Sequence, residues 1–413
     1  MASRSIRKLE VRFTAGPDEQ MPVGTLAERE HRVYFEYDVD WLARGIELSP
    51  FTLPARHGLI EHTDREFGPL PGLFDDSLPD GWGLLLMDRH FRQLGIDPAA
   101  VSPLDRLAYL GTQTMGALTY HPPAEREALD AACFDLHDLA RQAREVHAGR
   151  ASDVLPLLLR AGGSPGGARP KLLVGYAPST GEVISGEDDL PEGFEHWIVK
   201  FPAETDELDA GAVEYAYSLM ARAAGLELPQ TRIFATSEGD RFFAAKRFDR
   251  AAGNRRFHIH TLGNLIHADF RVPGCDYAEL LKATSILTRD HREVLRAYRL
   301  MAFNVLAHNR DDHVKNFAYI IEIETGSWAL APAYDLTFAT GPGGEHTTTV
   351  AGEGGNPTPK QMLRLAGPAG IEAAFAQEII DEVRGAVSRW DELADQAGVS
   401  GATRRSVALG LIR

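Results

Sequence analysis

The stretch NRDDHVKNF, residues 309–317, decides how the chain is read. Seven of its nine residues are polar or charged, yet it follows RLMAFNVLAH, residues 299–308, an apolar run that reads as a buried helix. Ordinary surface loops draw on Gly, Pro and Ser. This one concentrates acids, bases and amides, the side chains that hold metals and move protons.

Working outward, the whole chain has 413 residues, enough for two to three domains or one large bilobal one. Its 44% hydrophobic and 25% charged residues are those of a globular protein. A formal net charge of -16 argues against non-specific binding of nucleic acid by the chain as a whole. The two cysteines, Cys133 and Cys275, are far apart and lack CxxC spacing, which argues against a disulfide framework or a structural zinc site. The opening MASRSIRKLEVRF passes straight into an alternating pattern without an apolar core, so no signal peptide is expected. No apolar run approaches the roughly 18 residues that span a bilayer. The expectation is a cytoplasmic protein with no membrane contact.

The pattern along the chain is α+β. KLEVRF and RVYFEYD alternate like strands and are separated by GPDEQMPVGTL, which reads as turn. In GLFDDSLPDGWGLLLMDRHFRQLG, Ser77 or Asp80 is placed to cap a helix running through Trp82 and Leu86 to Gly95. Residues 125–160 have helical spacing. KLLVGY and HWIVKFP read as strands, AVEYAYSLMARAAGL as an amphipathic helix, and TRIFATSEGDRFFAAKRFDR as a hairpin turning at residues 237–240. The remainder is mostly helical apart from the strands FAYIIEIE and WALAPAYD. Three segments follow: an N-terminal α+β subdomain, 1–125; the rest of a strand-rich lobe with a Gly-rich loop, 126–245; and a helical lobe, 246–413.

Five features fall in one order. Gly162, Gly163, Ser164, Gly166, Gly167 and Ala168 form a loop of the kind whose backbone amides wrap phosphate oxygens, although it is no P-loop. Lys200 lies inside an apolar strand, where it must snorkel or meet an anion. Glu214 follows on a helix, and a strand lysine with a helix glutamate is how kinases hold ATP phosphates. Asp311 and Asn316 have the Asp-to-Asn interval of the protein-kinase catalytic loop. There the aspartate accepts the hydroxyl proton and the amide oxygen holds Mg2+. Lys315 is placed to neutralise the transferred phosphoryl group, and His313 to buttress the loop. Asp335, at the end of a strand in LAPAYDL, stands where kinases carry the metal-binding aspartate of D-F-G, although that motif is not literally present. Asp312 is expected to be solvated. Together these residues supply positioning, charge neutralisation and a base, the parts that phosphoryl transfer needs.

Over nearly its whole length the chain resembles the HipA-type serine/threonine kinases, the toxins of bacterial type II toxin–antitoxin pairs. The resemblance rests on GLFDDSLPDGWG, SPGGARPKLL, KRFDR, NRDDHVKNF and LAPAYDL, in that order. It implies a bilobal protein-kinase-like fold, with ATP and Mg2+ as cofactors. It implies Asp311 as catalytic base, Asn316 and Asp335 as metal ligands, and Lys200 as the nucleotide-binding lysine. Ser164 matches the autophosphorylated serine of the Gly-rich loop, and a phosphate there adds roughly -1.5 to -2 charges where ATP phosphates would sit. Arg247, Phe248 and Asp249 match the segment that contacts nucleotide. Lys246 departs from the pattern, because an acidic residue would better bond the adenine amino group. Pro165 also departs, biasing Ser164 toward extended backbone.

The resemblance further implies a small helix-turn-helix antitoxin (HipB-like) as partner, with operator DNA contacted mainly through it. A cytoplasmic kinase that is nucleoid-associated when antitoxin-bound follows. Its substrate would be a translation-linked protein such as an aminoacyl-tRNA synthetase. Three other readings use the same residues. One is a small-molecule or lipid kinase of this fold, and another a non-catalytic antitoxin-bound corepressor. The third is a two-metal phosphohydrolase built from His258, His260, His267, His308, His313, Asp311 and Asp312.

Overall fold

The alternation of KLEVRF becomes β1 (Lys8–Gly16), which buries Leu9, Val11 and Phe13 on one face as a period of two requires. The structure is a computed structural model and describes residues 6–124, 135–150, 158–159, 166–186, 189–203 and 209–412. GPDEQMPVGTL is a correction. Only its first residues turn; from Glu19 the chain forms β2 (Glu19–Arg29), paired with β1 on one side and β3 (Arg32–Tyr37) on the other. Pro22 disguised this strand, because proline cannot donate to a ladder. It is accommodated at a bulge: Val11 pairs with Gly24 and Arg12 with Pro22, leaving Val23 extra. With β4 (Ile60–Glu61) and β5 (Leu118–His121) the sheet order is β4-β3-β2-β1-β5.

The helix expected after Ser77 or Asp80 spans Gly81–Gln93. Asp80 stands at its N-cap position, but its side chain does not cap it. Ser77 instead accepts a hydrogen bond from Tyr120 Oη at 2.8 Å. Of the helical stretch expected over 125–160, the described part contains the helix Leu136–His147. Its buried Leu139, Ala140 and Ala143 join Trp82 and Leu86 in a core against a second sheet. That sheet comprises β6 (Lys171–Tyr176), β7 (Val183–Ser185), β8 (Glu195–Lys200), β9 (Thr231–Ala235) and β10 (Arg241–Lys246), in the order β7-β6-β8-β10-β9. Leu172, Val174, Trp197 and Val199 are its contribution to that core.

The chain divides into two compact units. The first is Met1–Asp206 with Phe234–His260 and Ile323–Gly326; the second is Glu207–Ile233, Thr261–Glu322 and Ser327–Arg413. The helix Ala210–Ala223, which the sequence pattern grouped with 126–245, packs in the second unit. There Tyr217 donates to the carbonyl of Ala307 at 2.5 Å and its ring meets Trp390, centroid to centroid, at 5.6 Å. The centre of this unit is the helix His291–Leu306, which buries Tyr298, Met301, Ala302, Phe303 and Leu306. A hairpin of Ala318–Glu322 and Ser327–Leu330 follows, and then helices at Pro359–Ala366, Ala373–Val387, Trp390–Gln396 and Gly401–Ala408. Among the described residues, no helix is long and apolar enough to cross a membrane.

Candidate active site

In the second unit the polar loop is built on a buried chain of hydrogen bonds. The amide nitrogen of Asn309 donates to Asn304 Oδ1 at 3.0 Å, and Asn304 Nδ2 donates to Tyr277 Oη at 2.9 Å. Tyr277 donates in turn to Asp312 Oδ2 at 2.7 Å. Asp312, expected in solvent, is a correction: it is wholly buried. His346 Nδ1 lies 2.8 Å from its Oδ2, and the backbone N–H groups of Thr347 and Thr348 donate to Oδ1 at 2.9 and 3.3 Å. A buried carboxylate survives only when its lone pairs are met this fully.

Asp312 thereby anchors the loop from below while its neighbour Asp311 is exposed. Asn316 Nδ2 donates to the carbonyl of Asp311 at 2.5 Å. That fixes the amide, and the Asn316 oxygen is the atom left for a cation. The intervening turn is held by buried Val314, packed so closely on Gly263 that a Cβ there would lie 2.7 Å from Val314 Cγ2. Phe270 faces the same turn. Its ring is 4.8 Å from Lys315 Nζ and 5.3 Å from the His313 ring.

Asp335 is displaced from its expected place. The strand before it ends at Leu330, and Asp335 adopts a left-handed conformation, φ 54°. Few non-glycine residues are held there without surrounding support. The support is the polar loop itself. Tyr334 donates to the carbonyl of Lys315 at 2.6 Å, Ala339 N to His308 O at 3.1 Å, and Arg310 N to Ala339 O at 3.2 Å. Residues 334–339 therefore run beside 308–315. The Gly-rich stretch TGPGGEHTTT, opaque in sequence, wraps the same loop. Arg310 donates to the carbonyls of Gly344 and, at 2.8 Å, Gly355. His346, Thr347 and Thr348 then supply the cradle of Asp312.

In the first unit, Gly162, Gly163 and Ser164 lie outside the described residues. Gly166, Gly167 and Ala168 lead directly into β6. Lys200 ends β8, where its register partners are Lys171 on β6 and Phe243 on β10. Its ammonium lies 5.6 Å from the centroid of the Phe243 ring. Lys171, not singled out in the sequence, is buried, and a Cβ on Gly167 would come within 2.5 Å of its Nζ. Two lysines directly opposite on adjacent strands repel, and an anion beside them removes the cost. The signal in the sequence was a lysine placed immediately after a glycine loop, which strand periodicity alone does not mark.

The remaining expected residues divide between the units. Glu214 is buried on the helix Ala210–Ala223 of the second unit. Lys246, at the end of β10, is ion-paired with Glu195 of β8 at 2.7 Å. Arg247 and Asp249 are buried in a network, with Phe248 half-buried between them. Arg247 donates through Nε and Nη2 to the Asp249 carboxylate at 2.9 and 2.7 Å. Arg250 and Gly116 N donate to it at 2.7 and 2.8 Å. Burial pushes the Asp249 carboxyl up, but the Arg247 and Arg250 guanidiniums overcome this and hold it well below the usual carboxylate range. Arg250 also donates to the carbonyls of Thr114 and Gly116, both at 2.9 Å, tying this segment to the N-terminal part of the chain.

The histidine-rich two-metal reading does not survive these contacts. His258 and His260 are buried in the first unit, where His260 lies 2.9 Å from Ser49 Oγ and 2.5 Å from Asp76 Oδ2. Asp312 is occupied as described. Among the described residues no cluster of three or more His, Cys, Asp or Glu is arranged to hold a metal.

A mixed α/β protein in two units, with a glycine loop feeding paired strand lysines and a polar loop closing a buried helix, is thus the class in hand. Residues 163–390 match the HipA-like C-terminal domain and residues 19–121 the HipA N-terminal domain. The chain belongs to the HipA family. Its fold is that of HipA from Shewanella oneidensis MR-1, solved as a toxin–antitoxin complex with HipB and operator DNA. The TM-score is 0.71 at 16% identity, over 97% of this chain and 94% of that one. The Helicobacter pylori proinflammatory kinase CtkA aligns over 53% of this chain and 91% of its own, at 14% identity and a TM-score of 0.32, too low to support an argument. No curated protein matches the sequence.

Proposed function

We propose that the chain is an ATP- and Mg2+-dependent serine/threonine protein kinase, the toxin of a toxin–antitoxin pair, which silences itself by phosphorylating Ser164. The observation that carries this reading is the polar loop. Asp312 is fully engaged beneath it, Asp311 is exposed on its surface, and the Asn316 amide is oriented by its hydrogen bond to the Asp311 carbonyl. Asp311 takes the proton from the attacking hydroxyl as general base. Asn316 and Asp335 are the ligands for Mg2+, hard oxygen donors suited to that ion. When bound, the metal neutralises charge on the phosphate oxygens. In the first unit Lys200 and Lys171 bind nucleotide phosphates; in the second Lys315 meets the transferred group and Glu214, buried on its helix, serves nucleotide binding. Arg247 and Asp249 hold the segment that follows β10 in place. In this reading residues 1–125 form the family's extra subdomain, 126–245 complete the nucleotide-binding lobe and 246–413 form the catalytic lobe.

The HipB and operator DNA of the Shewanella complex support a helix-turn-helix antitoxin as partner, with DNA reached through it. The net charge of -16 suits a chain that leaves phosphate contacts to that partner. The protein then works in the cytoplasm, at the nucleoid when antitoxin-bound, on a translation-linked protein such as an aminoacyl-tRNA synthetase.

Intact-mass measurement of phosphatase-treated protein after incubation with Mg·ATP is the test. One phosphate is expected on Ser164, absent in Asp311→Ala and in Ser164→Ala. A wild-type chain that gains no phosphate and transfers none from ATP would sink the reading. In cells lacking the antitoxin, expression should arrest growth and Asp335→Ala should abolish the arrest.

A further inference from the structure

The turn Pro79-Asp80-Gly81-Trp82 makes contacts that the proposed reaction does not use. Asp80 stands where a helix N-cap belongs, and aspartate is among the best residues for that task. Its carboxylate forgoes the cap. Instead Oδ1 accepts the backbone N–H of Gly167, 87 residues away. The next two residues complete the grip. The N–H of Trp82 donates to the carbonyl of Gly167 at 2.9 Å, and the Trp82 indole donates to the carbonyl of Lys171 at 3.0 Å. Gly81 has φ 44°, and a Cβ on it would lie 2.6 Å from the Gly167 oxygen and 2.8 Å from Ala168 Cα. No other residue type permits so close an approach. Trp82 is itself 1% exposed and part of the core beneath β6, so the turn is rigidly mounted.

We propose that this turn is the latch of the phosphate loop and that Asp80 is its positioning residue. The proposal rests on the reading that the glycine loop takes nucleotide phosphate, and adds how the loop is held. Both hydrogen-bonding groups of Gly167 are committed to the turn. Gly167 is therefore the loop's anchor rather than a phosphate donor. Phosphate contact in this part of the sheet falls to Lys171, whose ammonium would lie 2.5 Å from a Cβ on the anchored Gly167.

The test is hydrogen exchange on the full chain without nucleotide, beside direct ATP binding and steady-state kinetics. Asp80→Ala and Gly81→Ala should speed exchange over residues 166–172 selectively and leave β8 and β10 protected. Asp80→Ala should weaken ATP binding about tenfold, the loss expected of one hydrogen bond to a charged group. It should raise the KM for ATP while leaving kcat within about twofold of wild type. Asp80→Asn, which keeps an acceptor oxygen, should recover most of the affinity. Unchanged exchange at 166–172, or exchange raised equally through β8 and β10, would overturn the latch. A wild-type chain that binds no ATP would remove the kinase reading instead, and the exchange arm would still decide whether the turn holds the loop.

Discussion

Asp311 and Asp312 are chemically identical neighbours with opposite fates. One faces solvent and the other accepts four hydrogen bonds at zero exposure. Removing the buried carboxylate strands Tyr277, His346 and two backbone N–H groups, so Asp312→Ala should cost about 3 kcal/mol or more. A urea or thermal midpoint equal to wild type would refute that assignment. Asp311→Ala, at the exposed position, should leave the midpoint within about 0.5 kcal/mol of wild type. The residue scale also holds the lysine pair. Lys171→Met should weaken ATP binding about as much as Lys200→Met, roughly tenfold each, since each removes one charge-assisted contact. Calorimetric titration that finds Lys171→Met silent would leave Lys200 as the sole phosphate lysine of the sheet.

At the scale of elements, periodicity located β6, β8, β9 and β10, the helix Ala210–Ala223 and the hairpin Ala318–Glu322 with Ser327–Leu330, because their burial follows from local alternation; β7, only three residues long, was not singled out, and the C-terminal helices were read only as a mostly helical stretch. β2 escaped it because Pro22 reads as a breaker, and only pairing to β1 and β3 with a bulge makes room for it. Asp335 was placed at a strand end because the apolar run extends to Ala333; the ladder stops at Leu330 and tertiary contacts carry the chain on. The loop of residues 341–355 was opaque for the same reason. Its role is to support a neighbour, and neighbours are not marked in a linear pattern. Gly341, at φ 71°, approaches so closely that a Cβ would lie 1.9 Å from the Glu345 oxygen. Gly341→Ala should therefore displace this loop, loosen the cradle of Asp312 and reduce phosphoryl transfer at least about tenfold, with a stability loss of about 1–3 kcal/mol. Transfer at the wild-type rate would show that the loop does not support the site.

At the scale of the whole molecule, buried histidines make stability depend on pH. Burial, followed by the Arg247 charge, lowers His196 to about 4; burial, followed by His260, lowers His258 to about 3. Both are neutral in the folded first unit. The unfolded chain takes up protons at these positions as pH falls below about 6.5, while the folded chain does not. Stability is thus full above pH 6.5 and falls steadily to about pH 4, by roughly 3 kcal/mol for each of the two. The carboxylate of Asp249, held charged by its arginines, extends the loss below its ordinary range. Unfolding temperatures measured from pH 7.5 to 4 should decline over this window, and His258→Phe should flatten the decline. A flat profile in the wild type would contradict the burial of these rings as neutral groups.

The sequence by itself determined the order of the chemical parts, the five-residue interval from Asp311 to Asn316, the strand that carries Lys200 and the membership that those motifs imply. These are local properties, written in spacing and residue type. Only the tertiary structure decided which of two adjacent aspartates is buried and that Lys171 stands opposite Lys200. It alone showed that Asp80 leaves its own helix to hold Gly167. Each of those depends on burial and on partners tens of residues away, because a side chain's role is set by what surrounds it in space.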